Sequence, residues 1–322
     1  MKLTLRLLCA LLVILFTFGS ALAETYPSKA IELVIPFKAG GGTDTLGRVF
    51  QKALEKNLPQ PLAVVNVPGA AGVLGARKVK NAKPDGYTLL LSHATLLTAA
   101  AQGTANFGPE AFEAVAGTAT SNMVVCVAKN SPHKTLKGLL KAAKVKPNQI
   151  RVVTNIGAIV HFAWLKLADV GGDVKFRYIQ SGGGAKRLAQ IVGGHADASI
   201  FATSEAKQYY ESGDLRILAI LAEKRQWDLP KVPTAKELGY DTKTAYEWWW
   251  FAPKGTPKDR VDYLAGMLKK AIEDPDVRKI LKKQSYVDTY LAGEALQKKI
   301  ASDYAYLKSL AKKFGMIKKK KK

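Results

Sequence analysis

Short apolar runs alternate with amphipathic stretches along most of this 322-residue chain. "IELVIPF" (31–37), "LAVVNV" (62–67) and "GYTLLLS" (86–92) have the length and the β-branched content of strands. Between them, 43–58 and 70–82 show the wider apolar spacing of helices. An alternation of this kind needs a largely parallel sheet covered by helices, so the fold class is α/β. The pattern restarts near Val124: "MVVCVA", "IRVVTN", "VKFRYI", "ADASIFA" and "LRILAIL" read as strands, with helices over 160–168 and 185–192. Two series of this length imply two lobes rather than one core. No low-complexity linker separates them, as expected of a chain that crosses between lobes more than once. After Pro253 the pattern is helical, with Thr256 as the expected N-cap and Pro257 at the first helical position.

The two ends stand apart. Lys2 and Arg6 precede an apolar run over 7–18, and Ala21-Leu22-Ala23 has the small-x-small form of a cleavage site. The run is shorter than the roughly 20 residues a membrane span needs. Residues 1–23 are therefore expected to be a secretory signal peptide, cut after Ala23, that exports the chain. Cys9 lies in that leader, which leaves Cys126 alone and unable to form an intramolecular disulfide. In "MVVCVA" it reads as a small buried hydrophobe. With one cysteine and four scattered histidines, no zinc motif exists and no cofactor is expected. The formal charge is +23, but its lysines and arginines are spread along the chain, and no nucleic-acid-binding motif accompanies them. A basic surface that attracts anionic ligands, with a disordered lysine tail over 318–322, is the expectation.

The most informative loop is "IPFKAGGGTDTLGRVF" (35–50). Gly40, Gly41 and Gly42 let backbone amides approach a ligand, and Thr43 or Asp44 is placed to cap the helix that follows. A helix start carries free N–H donors and a partial positive charge, so an anion is stabilised there. The dinucleotide fingerprint lacks its third glycine, and the P-loop lacks its lysine and its hydroxyl. Similar small-residue loops follow other strands, at Ser92-His93, at Asn155-Ile156-Gly157-Ala158 ahead of His161, and at Ser181-Gly182-Gly183-Gly184. Ligands of open α/β sheets sit at the carboxyl ends of strands, so these loops are expected to converge on one cleft. No histidine has the spacing of a catalytic or metal motif, so no enzyme is expected. In "EWWWF" (247–251) the three tryptophans alternate faces if they form a strand, and core packing is favoured over ligand contact.

At these residues the chain resembles the periplasmic substrate-binding proteins of tripartite tricarboxylate transporters, the Bug receptors. The resemblance rests on "YPSKAIELVIPFKAGGGTD", "VVNVPGAAGVLGA", "KPDGYTLLLS", "GGHADASIFATSEA", "SGDLRILAI", "LPKVPTAKELGY" and "FAPKGTPKDRVDYL", in that order. It implies a type II periplasmic-binding fold of two α/β lobes around a cleft. The lobe boundaries are expected at 24–121 plus 222–317 for the first lobe and 122–221 for the second. It also implies a monomer that captures a small di- or tricarboxylate, closes on it and delivers it to integral-membrane transporter subunits, without nucleic acid or catalysis. Presentation of a ligand to a sensor kinase, or a secreted enzyme acting on a small anion, are the alternatives. Carried onto this sequence, the ligand-binding residues are Phe37, Gly40, Gly41, Gly42, Thr43 and Asp44, then Ser92 and His93. The second lobe adds Asn155, Gly157, Ala158 and His161, then Ser181, Gly182 and Gly183. The chain departs from the family at Lys38, where a proline is usual, at Ala158, where Ser or Thr is usual, and at Val160, which replaces a proline.

Overall fold

The structure is a computed structural model and describes residues 25–172 and 174–318. The expected signal peptide and the last four lysines lie outside the described residues. Strand β1 (Ile31–Ile35) pairs in parallel with β2 (Leu62–Asn66) on one side and β3 (Thr88–His93) on the other. Helices α1 (Gly42–Leu54), α2 (Val73–Lys80) and α3 (Thr95–Ala101) follow these three strands. This is the expected β-α alternation.

Strand β4 (Phe112–Ala128) is 17 residues long and organises the rest. Its first part, to Asn122, pairs antiparallel with β9 (Ala245–Pro253) and β10 (Val287–Ala292). From Met123 it pairs instead with β7 (Ala198–Ala202) and β8 (Leu215–Ile220). Strand β5 (Arg151–Thr154) lies parallel between β7 and β6 (Arg177–Gln180). The backbone path is β2-β1-β3-β9-β4-β7-β5-β6, so the two α/β halves meet at β4 and β9.

Helices α4 (Leu136–Val145), α5 (Ile159–Val170), α6 (Gly184–Val192) and α7 (Thr203–Glu211) belong to the second half. Helices α8 (Lys258–Glu273), α9 (Pro275–Lys283) and α10 (Gly293–Lys313) cover the first. The expected cap at Thr256 is displaced by one residue. Its hydroxyl donates to the Pro253 carbonyl at 2.8 Å, and Pro257 takes the N-cap position. Asp274 ends α8 and caps α9 through the Asp276 amide.

Strand β9 shows how the sequence sets the packing. Side chains alternate across a strand, so Trp248 and Trp250 face one side and Trp249 and Phe251 the other. Trp250 packs edge-on to Phe50, with ring centroids 5.8 Å apart, in a core with Leu33, Ile35 and Leu268. Trp249 joins the opposite core beside Leu296 and Ile300. A buried side chain such as Phe50 contributes roughly 1.5–3 kcal/mol, which anchors α1 against the sheet. Gly47 lets the helix come this close, because a Cβ there would stand 2.6 Å from the Ile35 Cδ1. The N-terminus of α1 is thereby fixed at the carboxyl edge of β1.

Candidate functional site

The loop between β1 and α1 is held from inside. Gly40 adopts φ +76°, in the left-handed region that favours glycine. Its N–H donates to the Asp44 Oδ2 at 2.9 Å, and the Arg48 Nε donates to the same oxygen at 3.0 Å. The Asn66 Nδ2 donates to the Asp44 Oδ1 at 2.9 Å and to the Phe37 carbonyl at 3.1 Å. Burial works to raise the Asp44 pKa, but the bonds from Arg48, Gly40 and Asn66 outweigh it and hold the carboxyl below its ordinary value. Asp44 is thus an ionised brace on the loop. Gly41 takes the N-cap position and makes no side-chain cap. Among the described residues no acceptor meets the amides of Gly42, Thr43 and Asp44. These are the unsatisfied donors of a helix start, reinforced by its dipole.

Phe37, Gly40, Gly41, Gly42, Thr43 and His93 line a cavity of about 670 Å³. One wall is aromatic. The Phe37 and His93 rings stack 4.7 Å apart, His93 meets Tyr246 edge-on at 4.9 Å, and Trp248 meets Tyr286 edge-on at 5.2 Å. The Trp248 Nε1 donates to the Thr43 Oγ1 at 3.0 Å, which leaves the threonine proton free to donate to a ligand. The His93 Nδ1 accepts from the Thr95 amide at 3.3 Å, so the proton resides on Nε2. Burial pulls the His93 pKa down to about 3, which keeps the ring a neutral donor. The opposite wall comes from the second half: Ala202, Ser204, Glu205, Lys207 and Gln208 at the start of α7. The Ser121 hydroxyl, on β4, lies 3.1 Å from the Thr203 Oγ1 and 3.2 Å from the Ser204 Oγ, which ties that helix start to the crossover strand.

Of the remaining expected residues, Asp44 is turned onto its own loop, and Ser92 is buried on β3, opposite Trp249 of β9. Asn155, Gly157, Ala158 and His161 cluster at the start of α5. The Ala158 amide bonds to the Asn155 carbonyl, and the Gly157 carbonyl accepts from the Gln102 Nε2 of the first half at 2.7 Å. The His161 Nδ1 accepts from the Gly157 amide at 3.3 Å, and burial lowers its pKa to about 4. Ser181, Gly182 and Gly183 precede α6. The Gln180 side chain joins the two loops, accepting from the Ile156 amide and donating to the Ser181 carbonyl at 2.8 Å. The Ser181 hydroxyl is buried with no partner among the described residues. Neither loop lines the 670 Å³ cavity. Lys38 is exposed and does not line it either.

Sequence reasoning missed Glu205, Tyr246 and Tyr286. Glu205 follows the same strand, small-residue, helix pattern as the other loops, in "FATSEA", and was legible from it. Tyr246 and Trp248 face this cavity, whereas Glu247 and Trp249 line a second one of about 890 Å³ on the other face of β9. Among the described residues no cluster of His, Cys, Asp or Glu is arranged to hold a metal.

A family model described as the tripartite tricarboxylate transporter family receptor matches residues 46–316. The chain belongs to this receptor family. A Cupriavidus necator relative, the UPF0065 protein in the gbd 5' region, is 32% identical over 93% of this chain and 92% of its own. The solved periplasmic binding protein BugD is 30% identical, with a TM-score of 0.78 over 91% of this chain and 100% of its own. MatC of Rhodopseudomonas palustris, solved with bound malate, is 25% identical, with a TM-score of 0.76 over 88% and 99% of the two chains. The receptor family and its two-lobed α/β fold therefore account for the topology seen here, in which two halves share β4.

Proposed function

We propose that this receptor captures a small carboxylate in the 670 Å³ cavity and delivers it to the integral-membrane subunits of a tripartite tricarboxylate-type transporter. The observation that carries the reading is the start of α1: three unsatisfied amides at a helix N-terminus, beside the Thr43 hydroxyl and a neutral His93, on a cavity between the two halves. Donors of this kind hold a carboxylate without a fixed cation, and water exclusion strengthens the bonds. The malate bound by MatC supports a carboxylate ligand.

The reading divides the chain at the crossover strands, with 24–121 and 222–317 in one lobe and 122–221 in the other. The change of partners along β4 after Asn122 supports this division. In the closed, liganded state the loops at Asn155–Ala158 and Ser181–Gly183 complete the clamp from the second lobe, and the unpartnered Ser181 hydroxyl is a donor available for that role. Export uses residues 1–23, with cleavage after Ala23, and the periplasmic description of BugD supports that location. The receptor works as a monomer and performs no chemistry.

Native mass spectrometry of the purified protein, followed by a thermal-shift panel of organic acids, tests the proposal. A co-purified carboxylate, or a melting point that rises with the logarithm of ligand concentration, is the expected result. A panel in which no carboxylate binds overturns it.

A further inference from the structure

We infer that Glu205 makes the cavity select a ligand that carries a cationic group, such as an ammonium, beside its carboxylate. The inference rests on the carboxylate-receptor reading and narrows it. Glu205 lies in the first turn of α7 and lines the cavity, with its side chain 41% exposed. Its Oε2 accepts from the Ala202 amide at 3.4 Å and from the Arg187 Nη2 at 3.3 Å. Its Oε1 has no donor among the described residues.

The position of this carboxylate matters as much as its charge. It sits at the start of α6, where a Cβ on Gly184 would stand 2.9 Å from its carboxyl carbon. Its carboxylate therefore places a negative charge beside the start of α6. Arg187, the cation beside it, is 3% exposed and is held over the Phe201 ring, with Nη1 on the Gly182 carbonyl. Two lysines also line the cavity: Lys207 is engaged with Glu211 and Asp228, and Lys283 stands at the end of α9, on the side of the first half.

The ligand thus meets two chemically different jaws. The α1 side presents amide donors, and the α7 side presents a carboxylate oxygen that lacks a donor. One phenol spans the gap. Tyr286 lines the same cavity as Ser204 and Glu205, and its hydroxyl lies 3.6 Å from where a Cβ on Gly42 would stand. A carboxylate and a cation only a few bonds apart fit that spacing, and the Tyr246 and Trp248 faces are suitable neighbours for the cation. A second carboxylate in the same place would face Glu205 as a like charge.

Calorimetric titration of the purified receptor with matched ligands tests the assignment. The probes are α- and ω-amino acids, each set against its des-amino acid and the dicarboxylate of equal length. The amino member is expected to bind at least tenfold more tightly than the dicarboxylate. Glu205→Gln is expected to shrink that ratio at least tenfold, weakening the amino acid and strengthening the dicarboxylate. Equal or tighter dicarboxylate binding by the wild type overturns the inference, and this comparison does not depend on the variant folding. A ratio unchanged in a folded Glu205→Gln also overturns it and makes Glu205 a structural partner of Arg187. If acids bind but without this preference, only the inference fails, whereas if none binds the carboxylate reading itself has failed.

Discussion

At the scale of single residues, the site depends on side chains whose work is to hold other groups still. Asp44 reads from the sequence as a ligand contact or a cap, because an acid in a first helical turn can be either. Only the fold brings Asn66 and the bent Gly40 amide to its two oxygens. Asp44→Ala leaves these donors without their acceptor, so a loss of about 1–3 kcal/mol is expected in urea unfolding, together with weaker carboxylate binding. A variant of unchanged stability would show that Asp44 does not brace the loop. The buried histidines give a pH dependence of definite sign. Both have folded pKa values below the ordinary value near 6.5, His93 at about 3 and His161 at about 4. Their contribution is complete above about pH 6.5 and is lost as the pH falls, because the unfolded chain takes up protons that the folded one refuses. Each histidine is expected to lower stability by about 1.4 kcal/mol per pH unit between pH 6 and 4.5. His93→Gln should remove one such increment from the slope of unfolding free energy against pH, and an unaltered slope would place the imidazole in water.

At the scale of elements, the alternating strands and helices of both halves were legible because each has its own period or composition. β1, β2, β3, α1, α5 and α6 all appear where the residues place them. Helices α3, α4 and α7, strand β10 and the first part of β4 were not read from the sequence. Strand β10 has a mixed, half-exposed pattern with no clean alternation, and it exists through pairing with β4. The first part of β4, "FEAVAGTATS", is rich in small residues that carry little strand signal, and it is held by β9 and β10 on either side. The glycine loop was legible as an anion site, but which loops share a cavity depends on how the halves meet. Caps can be tested at the same scale. Thr135 caps α4 by accepting from the Gly138 amide at 3.0 Å, far in sequence from the cavity residues. Thr135→Ala is expected to cost about 1 kcal/mol of stability and to leave ligand affinity unchanged. Altered affinity would mean that α4 communicates with the cavity.

At the scale of the whole molecule, one long strand serves two sheets, and the candidate site lies where they meet. Hydroxyls of Ser121, Thr203 and Ser204 link the crossover strand to α7, and the Thr203 Oγ1 reaches the Ser285 carbonyl at 3.3 Å. A ligand held between the α1 amides and the α7 wall therefore bears on both halves at once, which is the geometry of lobe closure. The central claim is that backbone amides at the start of α1 bind the carboxylate. Gly42 is the place to test it. Its added Cβ would make only ordinary contact with the Tyr286 hydroxyl, 3.6 Å away, whereas one on Gly41 would press on the Lys38 carbonyl at 3.2 Å and disturb the loop itself. Calorimetric titration of wild type and Gly42→Val with the tightest-binding carboxylate is the most direct measurement. The account expects binding to the wild type and none to a variant that still unfolds cooperatively; undiminished affinity in Gly42→Val would contradict it.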